Sequence, residues 1–578
     1  MPIFSTVFLK NLSILSLLTL FISCKKIFNS KQSVANHEYS TFFWFNYQGK
    51  DDSFKSISKT NDSYINPILS GFYPDPSICY ANGKFYLINS SFSYFPGIPI
   101  FESIDLVNWH QIGHVITRKE QADFSGLKVS KGMFAPTIRY HDGTFYVICT
   151  NVEASGNFIV TAKNPEGPWS DPIILPEVEG IDPDLFFNDD GKVYITHNGV
   201  PPNNISKHEG HRAIYMFEYD LENKKVIGDS KLLVNGGTSM DIKPVWVEAP
   251  HVFKKDSYYY LICAQGGTRD NHSEVVFRSK AVFGPYLSYE NNPILTQRHL
   301  NPSRENAISS TGHADFVELP NGDWWSVFLG CRPYEDDLYN TGRETFLMPV
   351  SWENGWPTVV GGKNPLPVIH KKPNLPISQE PIKPTTGNFV SHDDFNKNTL
   401  NFNWNFIRTP LENWHKLDGD NLLIKPRTES IHTKTNYSFI GRRQQHLQFE
   451  ASTKLFYKVT DTLQTAGLVA FQNEDFYLLI GKRLNKNGNT EVFLEKNAGP
   501  LDASKPTIIT KKELNENTDD LFLKIEGEKR FYNFYYKTKE EEPWILLGDH
   551  MDASILSTNN AGGFVGTYLG MYTSLKHF

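Results

Sequence analysis

The chain has 578 residues, of which 39% are hydrophobic and 14% aromatic. That length and apolar content are enough to form more than one folded core. The formal net charge is -7, so the chain lacks the basic surface that nucleic-acid binding requires, and we expect no nucleic-acid partner.

The first 24 residues resemble an export signal. A short polar start with Lys10 leads into an apolar stretch over residues 12–22, which ends at Ser23-Cys24. The stretch is too short to span a membrane comfortably. A small residue directly before a cysteine resembles a bacterial lipoprotein signal, with Cys24 lipidated. The alternative is a plain signal peptide with an incidental cysteine.

We therefore expect an exported protein of the cell envelope, periplasmic or at the cell surface. Its contact with the membrane would be through a lipid anchor only. Residues 25–62 are polar and are interpreted as a tether, apart from an aromatic cluster at residues 42–45 that we expect to dock on the folded body.

One short pattern returns five times along the next part of the chain. Each copy joins a turn signal of the Asn-Gly or Asp-Gly type to an aromatic or β-branched run that favours a strand. The copies begin at Asn82, Asp142, Asp190, Asp256 and Asn321. They are 60, 48, 66 and 65 residues apart when counted from the glycine or its equivalent, about the length of a four-stranded blade with loops. The pattern predicts an all-β fold with a five-bladed β-propeller over residues 63–365, and a β-sandwich that reuses hairpins is the alternative.

The repeat also predicts where a site should form. Innermost strands of a propeller run along its central axis, so equivalent positions at their starts should meet at one mouth. The residues at these positions are Asp75, Ala135, Asp182, Glu248 and His313. Asp184 lies two residues after Asp182, on the same face of a regular strand, so the sequence does not decide which of the two reaches the axis.

The four remaining cysteines, Cys79, Cys149, Cys263 and Cys331, lie near the five hairpins without C-x-x-C spacing. This arrangement does not suggest zinc and favours buried free thiols between blades. A disulfide in an exported protein is the alternative.

The composition changes after the repeats. Six prolines between Pro365 and Pro384 indicate an extended linker over residues 366–387. Strand-like alternation then returns without the five-fold hairpins, as at Phe449 and Ala451. Residues 388–578 are therefore predicted to form a second all-β domain, a two-layer sandwich of the jelly-roll or concanavalin-like type.

The three acids suit the hydrolysis of a glycosidic bond. Prolines flank or follow Asp75 and Asp182 and stiffen the backbone there, while Trp246 and Val247 should desolvate Glu248 and raise its pKa. One ionised carboxylate and one protonated carboxylic acid are the pair that glycoside hydrolysis needs, roughly 6.5–9.5 Å apart in inverting enzymes. A lone aspartate before proline is otherwise a common turn former. Aromatic side chains near the same strand ends could stack on sugar faces: Phe72, Tyr94, Phe95, Phe134 and Trp246.

At this point the sequence resembles glycoside hydrolase family 43, the five-bladed β-xylosidases and α-L-arabinofuranosidases. The segments that carry the resemblance are Asn66–Ser77, Ile181–Phe186, Val247–His251, Thr311–Ala314 and Gly342–Leu347. The resemblance implies that Asp75 is the general base, Glu248 the general acid, and Asp182 the residue that orients the acid and tunes its pKa.

The same resemblance implies that Arg343 contacts sugar hydroxyls. It places His313 near the axis, where some relatives hold a calcium ion or ordered water, although a satisfied core imidazole is an equal alternative. No cofactor is required, and calcium is the single metal that the resemblance admits.

The second domain is similar to the carboxyl-terminal sandwich of many β-xylosidases, on the segments Gly441–His446 and Gly563–Tyr572. In those relatives a sandwich loop closes one side of the pocket and favours attack at chain ends, and Phe564 is the residue expected to reach it here. The chain departs from the family at Gln265, where glutamate is common, and at Phe134, where tryptophan is frequent.

Together these features predict an inverting, exo-acting hydrolase that releases terminal β-D-xylose or α-L-arabinofuranose from xylan or arabinoxylan fragments. Its partner would be an oligosaccharide or polysaccharide substrate. A surface glycan-binding lipoprotein without turnover is the alternative from another class, and a purely structural propeller would leave the acids unexplained.

Overall fold

The computed structural model describes residues 38–55, 62–377, 383–500, 505–514 and 518–577. The predicted export signal, with Cys24, lies outside the described residues. Residues 38–578 belong to one compact unit. Within the described ranges, the few helices are all too short or too polar to cross a bilayer.

Two strands and one helical turn precede the repeats: β1 (Ser40–Gly49), α1 (Asp52–Lys55) and β2 (Ser63–Ile65). Five antiparallel sheets follow, one for each predicted hairpin. Blade 1 contains β3 (Ser77–Ala81), β4 (Lys84–Ile88), β6 (Gly97–Ser103) and β7 (His110–Ile116), and the short β5 (Tyr94–Phe95) between β4 and β6 pairs with a different sheet. Blade 2 contains β8 (Gly132–His141), β9 (Thr144–Val152), β10 (Gly156–Ala162) and β11 (Ile173–Ile174), and blade 3 contains β12 (Ile181–Phe187), β13 (Val193–Gly199), β14 (Ala213–Asp220) and β15 (Lys225–Asn235). Blade 4 contains β16 (Glu248–Lys255), β17 (Tyr258–Gln265), β18 (Ser273–Ser279), β19 (Leu287–Ser288) and β20 (Leu295–Thr296), and blade 5 contains β21 (Ser309–Glu318), β22 (Trp324–Cys331), β23 (Glu344–Glu353) and β24 (Trp356–Val359).

Each repeated turn joins the first two strands of one blade. In blade 1, Ala81 pairs with Lys84 across Asn82-Gly83, which matches the two-residue turn that the sequence predicts. The five-bladed propeller is therefore confirmed, and the alternative of a sandwich over this region is wrong. The four cysteines of the described chain are buried free thiols, as predicted.

The predicted linker over residues 366–387 is partly a strand. Residues Ile369–Lys371 form β25, which pairs with β2, and the carbonyl of Thr385 accepts a hydrogen bond from Ser70 N. This segment is therefore held against the propeller where the structure describes it, because its backbone groups find partners on the first part of the chain.

The rest of the chain forms two eight-stranded sheets, so the predicted carboxyl-terminal β-sandwich is confirmed. Its own elements are β26 (Val390–Asp393), β27 (Asn405–Ile407), β28 (His415–Leu417), β29 (Leu422–Ile424), β30 (Phe439–Arg443), β31 (Gln448–Phe456), β32 (Thr465–Asn473), β33 (Phe476–Leu484), β34 (Thr490–Ala498), β35 (Thr507–Glu513), β36 (Asp520–Glu528), β37 (Phe531–Lys537), β38 (Ile545–Asp552), α2 (Thr558–Ala561) and β39 (Tyr568–Ser574). Three 3-10 turns, at Pro202–Asn204, Met240–Ile242 and Ser554–Leu556, complete the described elements.

Both sheets of the sandwich borrow a strand from the first hundred residues. β1 lies between β29 and β31, and β5 pairs with β27 at the edge of the other sheet. Phe42 and Tyr47 of β1 are buried in the largest core cluster. The aromatic cluster at residues 42–45 docks on the folded body as expected, but the tether predicted around it is wrong over residues 40–41 and 46–49, because the strand extends on both sides of the cluster.

Candidate active site

The innermost strands of the five blades start with the same backbone distortion. Five equivalent residues, one from each blade, have a positive φ between 37° and 56° at this point: Asp75, Ala135, Asp182, Ala249 and His313. In blades 2 to 5 the strand register slips beside this residue. A bulge of this kind bends the strand and redirects a side chain. The distortion therefore decides which side chains enter the axial cavity.

The structure also corrects one predicted equivalence. In blade 4 the distorted residue is Ala249 and not Glu248, which precedes it by one position. Glu248 reaches the cavity all the same, from the first residue of β16. The hairpin spacing therefore predicts the start of each innermost strand to within one residue. That precision is not enough to predict which side chain faces the cavity, because a bulge changes the alternation of side chains along the strand.

A cavity of about 460 Å³ opens at this end of the propeller. It collects the predicted catalytic and binding residues of the described chain, except the aromatic residues Phe72, Tyr94 and Phe95. The predicted residues that line it are Asp75, Phe134, Asp182, Trp246, Glu248, His313, Arg343 and Phe564. Blades 1 to 5 and the sandwich all contribute, so the cavity forms only in the folded chain.

Asp75 is held as an anion. Arg343 donates to its Oδ1 at 3.0 Å, Ser90 Oγ donates to its Oδ2 at 2.6 Å, and His313 Nδ1 lies 3.6 Å away. Burial acts to raise the pKa of Asp75, but Arg343, His313 and Ser90 together outweigh it and hold the pKa below its usual range. The carboxylate is therefore charged at neutral pH.

Glu248 has the opposite environment. Its side chain is buried, and the nearby carboxyl groups of Asp182 and Asp75 disfavour a further negative charge. Burial first, and then these two acids, raise the pKa of Glu248 well above its usual range, although Arg343 opposes them. The pKa values of Asp75 and Glu248 are therefore shifted in opposite directions within one cavity.

Asp182 connects the two. Its Oδ2 accepts a hydrogen bond of 3.1 Å from the backbone N–H of Ala249, the residue after Glu248. Burial and the Asp75 carboxylate raise the pKa of Asp182 to about 7. The contact fixes the position of the strand start that carries Glu248.

Asp184 does not reach the cavity. It lies 3.0 Å from Arg139 and 3.2 Å from His251, both behind the cavity wall. The register of β12 slips between Ile181 and Asp184, so the two aspartates do not share a face as they would on a regular strand. The bulge therefore explains why Asp182, and not Asp184, reaches the cavity, which the periodicity of a regular strand does not decide.

Asp184 belongs to a second ring of side chains, two residues after each distorted position. Its members are Ser77, Thr137, Asp184, His251 and Asp315. We call this set the lower ring, and the acids of the cavity, Asp75, Asp182 and Glu248, the upper ring. Arg139 bonds to Asp315 at 2.8 Å as well as to Asp184, and Ser77 Oγ donates to Asp315 at 2.7 Å.

The residues around His313 do not fit a calcium ion. Calcium prefers six to eight oxygen ligands. Among the described residues, the carboxylate in ion-pair range of the His313 ring is that of Asp75, which is already bonded to Arg343. Glu274 accepts a hydrogen bond from the N–H of Ala314, and the two axial carboxylates of the lower ring are bonded to Arg139. Burial lowers the pKa of His313 to about 3, so its ring is neutral and buried against the site. The prediction of a metal ligand at His313 is not supported by its surroundings.

Aromatic rings form one wall of the cavity. Phe92 and Phe134 meet edge to face at 4.8 Å between ring centres, and Phe564 stacks on Phe92 at 5.9 Å. Phe564 comes from the sandwich and is tied to blade 2 by a hydrogen bond of 3.0 Å from its N–H to Ser130 Oγ. The guanidinium of Arg343 lies 5.5 Å from the Phe564 ring centre.

The prediction that Tyr94 contacts sugar is wrong. Its side chain is fully buried and stacks on Tyr568 at 3.8 Å, inside the interface of propeller and sandwich. Tyr94 is part of β5, which pairs with the sandwich, so the ring points away from the cavity. Phe72 and Phe95 are also buried in core clusters rather than in the cavity.

Sequence reasoning missed several contributors. Phe92 lines the cavity beside the predicted rings, and Ser90 bonds both to Asp75 and to the N–H of Ala135. Arg269 and His272 also line the cavity. The polar run Asn89-Ser90-Ser91 directly follows β4 and was the one available signal, since polar residues in the loop at a blade end often serve a site.

Known proteins resemble this chain in sequence and fold. The sequence model of glycosyl hydrolases family 43 matches residues 64–357, and that of the β-xylosidase carboxyl-terminal concanavalin A-like domain matches residues 392–577. A xylosidase/arabinosidase of Butyrivibrio fibrisolvens is 40% identical over 88% of this chain and 95% of its own. The non-reducing end α-L-arabinofuranosidase of Bacteroides ovatus is 36% identical over 90% of this chain and 93% of its own.

A solved structure is also similar to this chain over both domains. A GH43_12 protein from the capybara gut metagenome superposes with a TM-score of 0.87 at 39% identity, over 93% of this chain and all of the other. With both domain models matched and the relatives covered nearly end to end, the chain belongs to glycosyl hydrolases family 43.

Proposed function

We propose that the protein is an inverting, exo-acting glycosidase that releases terminal pentose residues from xylan or arabinoxylan fragments. One observation carries the proposal: a carboxylate held ionised, Asp75, and a carboxylic acid held protonated, Glu248, line the same cavity. This is the combination of groups that single-displacement hydrolysis of a glycoside requires.

In the proposed reaction, Asp75 removes a proton from a water molecule as the water oxygen attacks the anomeric carbon. The bond from that carbon to the glycosidic oxygen breaks, and the oxygen leaves with the proton of Glu248. The product sugar has the inverted anomeric configuration. Proton exchange with solvent then returns Asp75 to the ionised and Glu248 to the protonated form.

The remaining cavity residues would bind and orient. Asp182 acts as a positioning residue, through its hydrogen bond to Ala249 and its electrostatic effect on Glu248. Arg343 would bind sugar hydroxyls while it holds Asp75, and Phe134, Trp246 and Phe564 would contact the apolar faces of the sugars.

Two observations favour attack at the chain end on a small sugar. The cavity volume of about 460 Å³ accommodates a sugar unit or two, and Phe564 of the sandwich forms part of its wall. The two relatives named above are a xylosidase/arabinosidase and a non-reducing end α-L-arabinofuranosidase. Since β-D-xylose and α-L-arabinofuranose present similar hydroxyls, both are proposed as substrates.

The first experiment compares release of nitrophenol from β-D-xyloside and α-L-arabinofuranoside by the wild type, Asp75→Asn and Glu248→Gln. Both substitutions should remove most turnover. Glu248→Gln should lose less on aryl glycosides with more acidic leaving groups, because those need no proton. Asp256→Asn, the same change at an exposed hairpin turn, is the matched control and should retain full activity.

Proton NMR of the first sugar released checks the stereochemistry. A β-xyloside should yield α-xylose before mutarotation. Substantial turnover in both variants, or a retained configuration, would contradict the proposal. Binding of oligosaccharide by the wild type with no sugar released would instead favour the glycan-binding alternative.

We also propose that the protein is exported and held in the cell envelope by a lipid on Cys24. The support is the sequence pattern of residues 12–24 alone. Metabolic labelling with a fatty acid should mark the wild type and leave Cys24→Ala unlabelled. Labelling of both, or of neither, would contradict the anchor.

A further inference from the structure

A second cluster of titratable side chains lies in the sandwich. His432 precedes β30, Glu495 lies in β34 and His577 follows β39, and none of the three lines the catalytic cavity. Among the histidine, cysteine and acidic side chains of the described residues, these three form the group whose donor atoms lie close enough together to bind one metal ion. One donor atom from each lies within 4.8 Å of the other two.

The distances within the cluster are close to those around a bound metal. His577 Nε2 is 2.9 Å from Glu495 Oε1, and Tyr477 OH is 2.6 Å from the same oxygen and 3.2 Å from His432 Nε2. Donor atoms around tetrahedral zinc are about 3.3 Å apart, as follows from metal–ligand bonds of about 2.0–2.1 Å. A small outward shift of these side chains would therefore open a space for an ion.

We propose that His432, Glu495 and His577 form a binding site for a divalent transition-metal ion such as Zn²⁺, with Tyr477 or a water as the fourth ligand. Two imidazoles and one carboxylate are a known zinc ligand set. Hard cations such as calcium would not choose it, because only one of the three ligands offers oxygen. The proposal goes beyond glycoside hydrolysis and does not depend on it.

The hydrogen bonds around His577 resemble those that orient metal-binding histidines. Tyr572 OH lies 3.2 Å from His577 Nδ1, and the N–H of Ile431 donates to the same hydroxyl at 3.1 Å. A fixed partner on the second ring nitrogen orients a ligating histidine. Glu495 and His577 are buried, while His432 is half-buried and gives an ion a way in.

A metal here would join three parts of the chain that are distant in sequence. It would tie the segment after β39 to β34 and to the loop before β30. Because these ligands come together only in the folded sandwich, ion binding would stabilise the folded state. The competing interpretation is a hydrogen-bonded polar network that binds no ion.

The test uses the full chain purified without a histidine tag and dialysed against EDTA. Zn²⁺ is then titrated by calorimetry, with the bound metal counted by mass spectrometry. The expected result is one ion per chain, a rise in Tm on Zn²⁺ addition, and tetrahedral ligand-field bands when Co²⁺ replaces it. His432→Ala and His577→Ala should weaken Zn²⁺ binding by about 100-fold or more, since even loss of an outer partner costs about 10–100-fold.

Two controls make the result specific. His550→Ala, an exposed histidine of the same domain, should bind Zn²⁺ like the wild type, and all three variants should hydrolyse aryl pentosides at the wild-type rate. His432→Ala is the decisive variant because its half-buried position makes misfolding the smaller risk. If the wild type binds no Zn²⁺, or if His432→Ala binds it equally well, the site is a polar network and the proposal is wrong.

Discussion

The upper and lower rings of the propeller axis are two neighbouring sets of buried acids with different charge balance. In the lower ring, Arg139 bonds to both Asp184 and Asp315. In the upper ring, Asp75 has Arg343, while Asp182 and Glu248 have no cation in hydrogen-bonded contact among the described residues. In the lower ring, the positive charge of Arg139 compensates the two aspartates and links their blades. In the upper ring, the uncompensated negative charge raises the pKa of Glu248, which favours the protonated acid that the proposed reaction requires.

The positive-φ residue at the start of each innermost strand, accompanied by a bulge in blades 2 to 5, separates the two rings. In blade 3 this distortion directs Asp182 to the cavity and Asp184 to Arg139, although the two are only two residues apart. The same residue type thus lines the proposed active site or forms a buried ion pair according to its place relative to one backbone distortion. Substitutions in the two rings should therefore affect different measurements.

The largest expected effect is on activity in the upper ring. Asp75→Asn and Glu248→Gln should each lower kcat by about 10³-fold or more, since general acid or base catalysis alone contributes about 10²–10⁴-fold. Glu248→Gln should leave Tm nearly unchanged, because the carboxyl group it replaces is already held neutral. Asp75→Asn should lower Tm only moderately, because its amide oxygen still accepts a hydrogen bond from Arg343. Steady-state kinetics and thermal unfolding on the same samples check both parts. A large fall in Tm would show that these acids are structural.

The lower ring should show the reverse. Arg139→Met leaves two buried carboxylates without their cation and should destabilise the fold by about 3–5 kcal/mol. Urea unfolding measures this. Arg118→Met removes an exposed ion pair with Asp171 and should change stability by less than about 1 kcal/mol. Equal effects of the two substitutions would contradict the structural role of the lower ring.

The pH profile should separate the two acids of the reaction. Activity needs Asp75 ionised, so it should rise on the acid side with a pKa below the ordinary aspartate value, and it needs Glu248 protonated, so it should fall on the alkaline side. Asp182→Asn removes a negative neighbour that raises the pKa of Glu248. The alkaline limb of kcat/KM should then move to lower pH, with kcat reduced by about 10²-fold. An unchanged alkaline limb would exclude the electrostatic role of Asp182.

The smallest effect should come from the aromatic wall. Phe564→Ala should raise KM by about 10-fold and leave the free energy of unfolding of the propeller nearly unchanged, because the ring is only partly buried. Kinetics with xylobiose measure it. A fall in kcat with unchanged KM would mean that the ring orders the acids and does not bind sugar.

Local sequence patterns predicted the hairpins and the strand starts, because short segments of the chain determine both. The Asn-Gly and Asp-Gly turns predicted the hairpins because two residues suffice to set such a turn. They also placed Asp75, Asp182 and Glu248 near one axis. The family resemblance added Phe564, which no local pattern would connect with the propeller.

The features that were missed depend on contacts between distant residues. The positive φ of Asp182 and the slip of β12 have no local signature, so Asp184 could not be told from Asp182. Tyr94 lies on the boundary with the sandwich because β5 pairs with β27, some three hundred residues later. Aromatic composition alone could not distinguish a buried interface ring from a sugar platform.

The position of β1 has a consequence for how this molecule is made. Tyr47 pairs with Ala451, so the strand must wait until the ribosome has supplied its partner about four hundred residues later. Until then an aromatic, strand-forming segment stays unpaired while the blades assemble. Cutting the chain after the last blade would remove β1 and β5 from the two sandwich sheets, so the sandwich should not fold as a separate fragment.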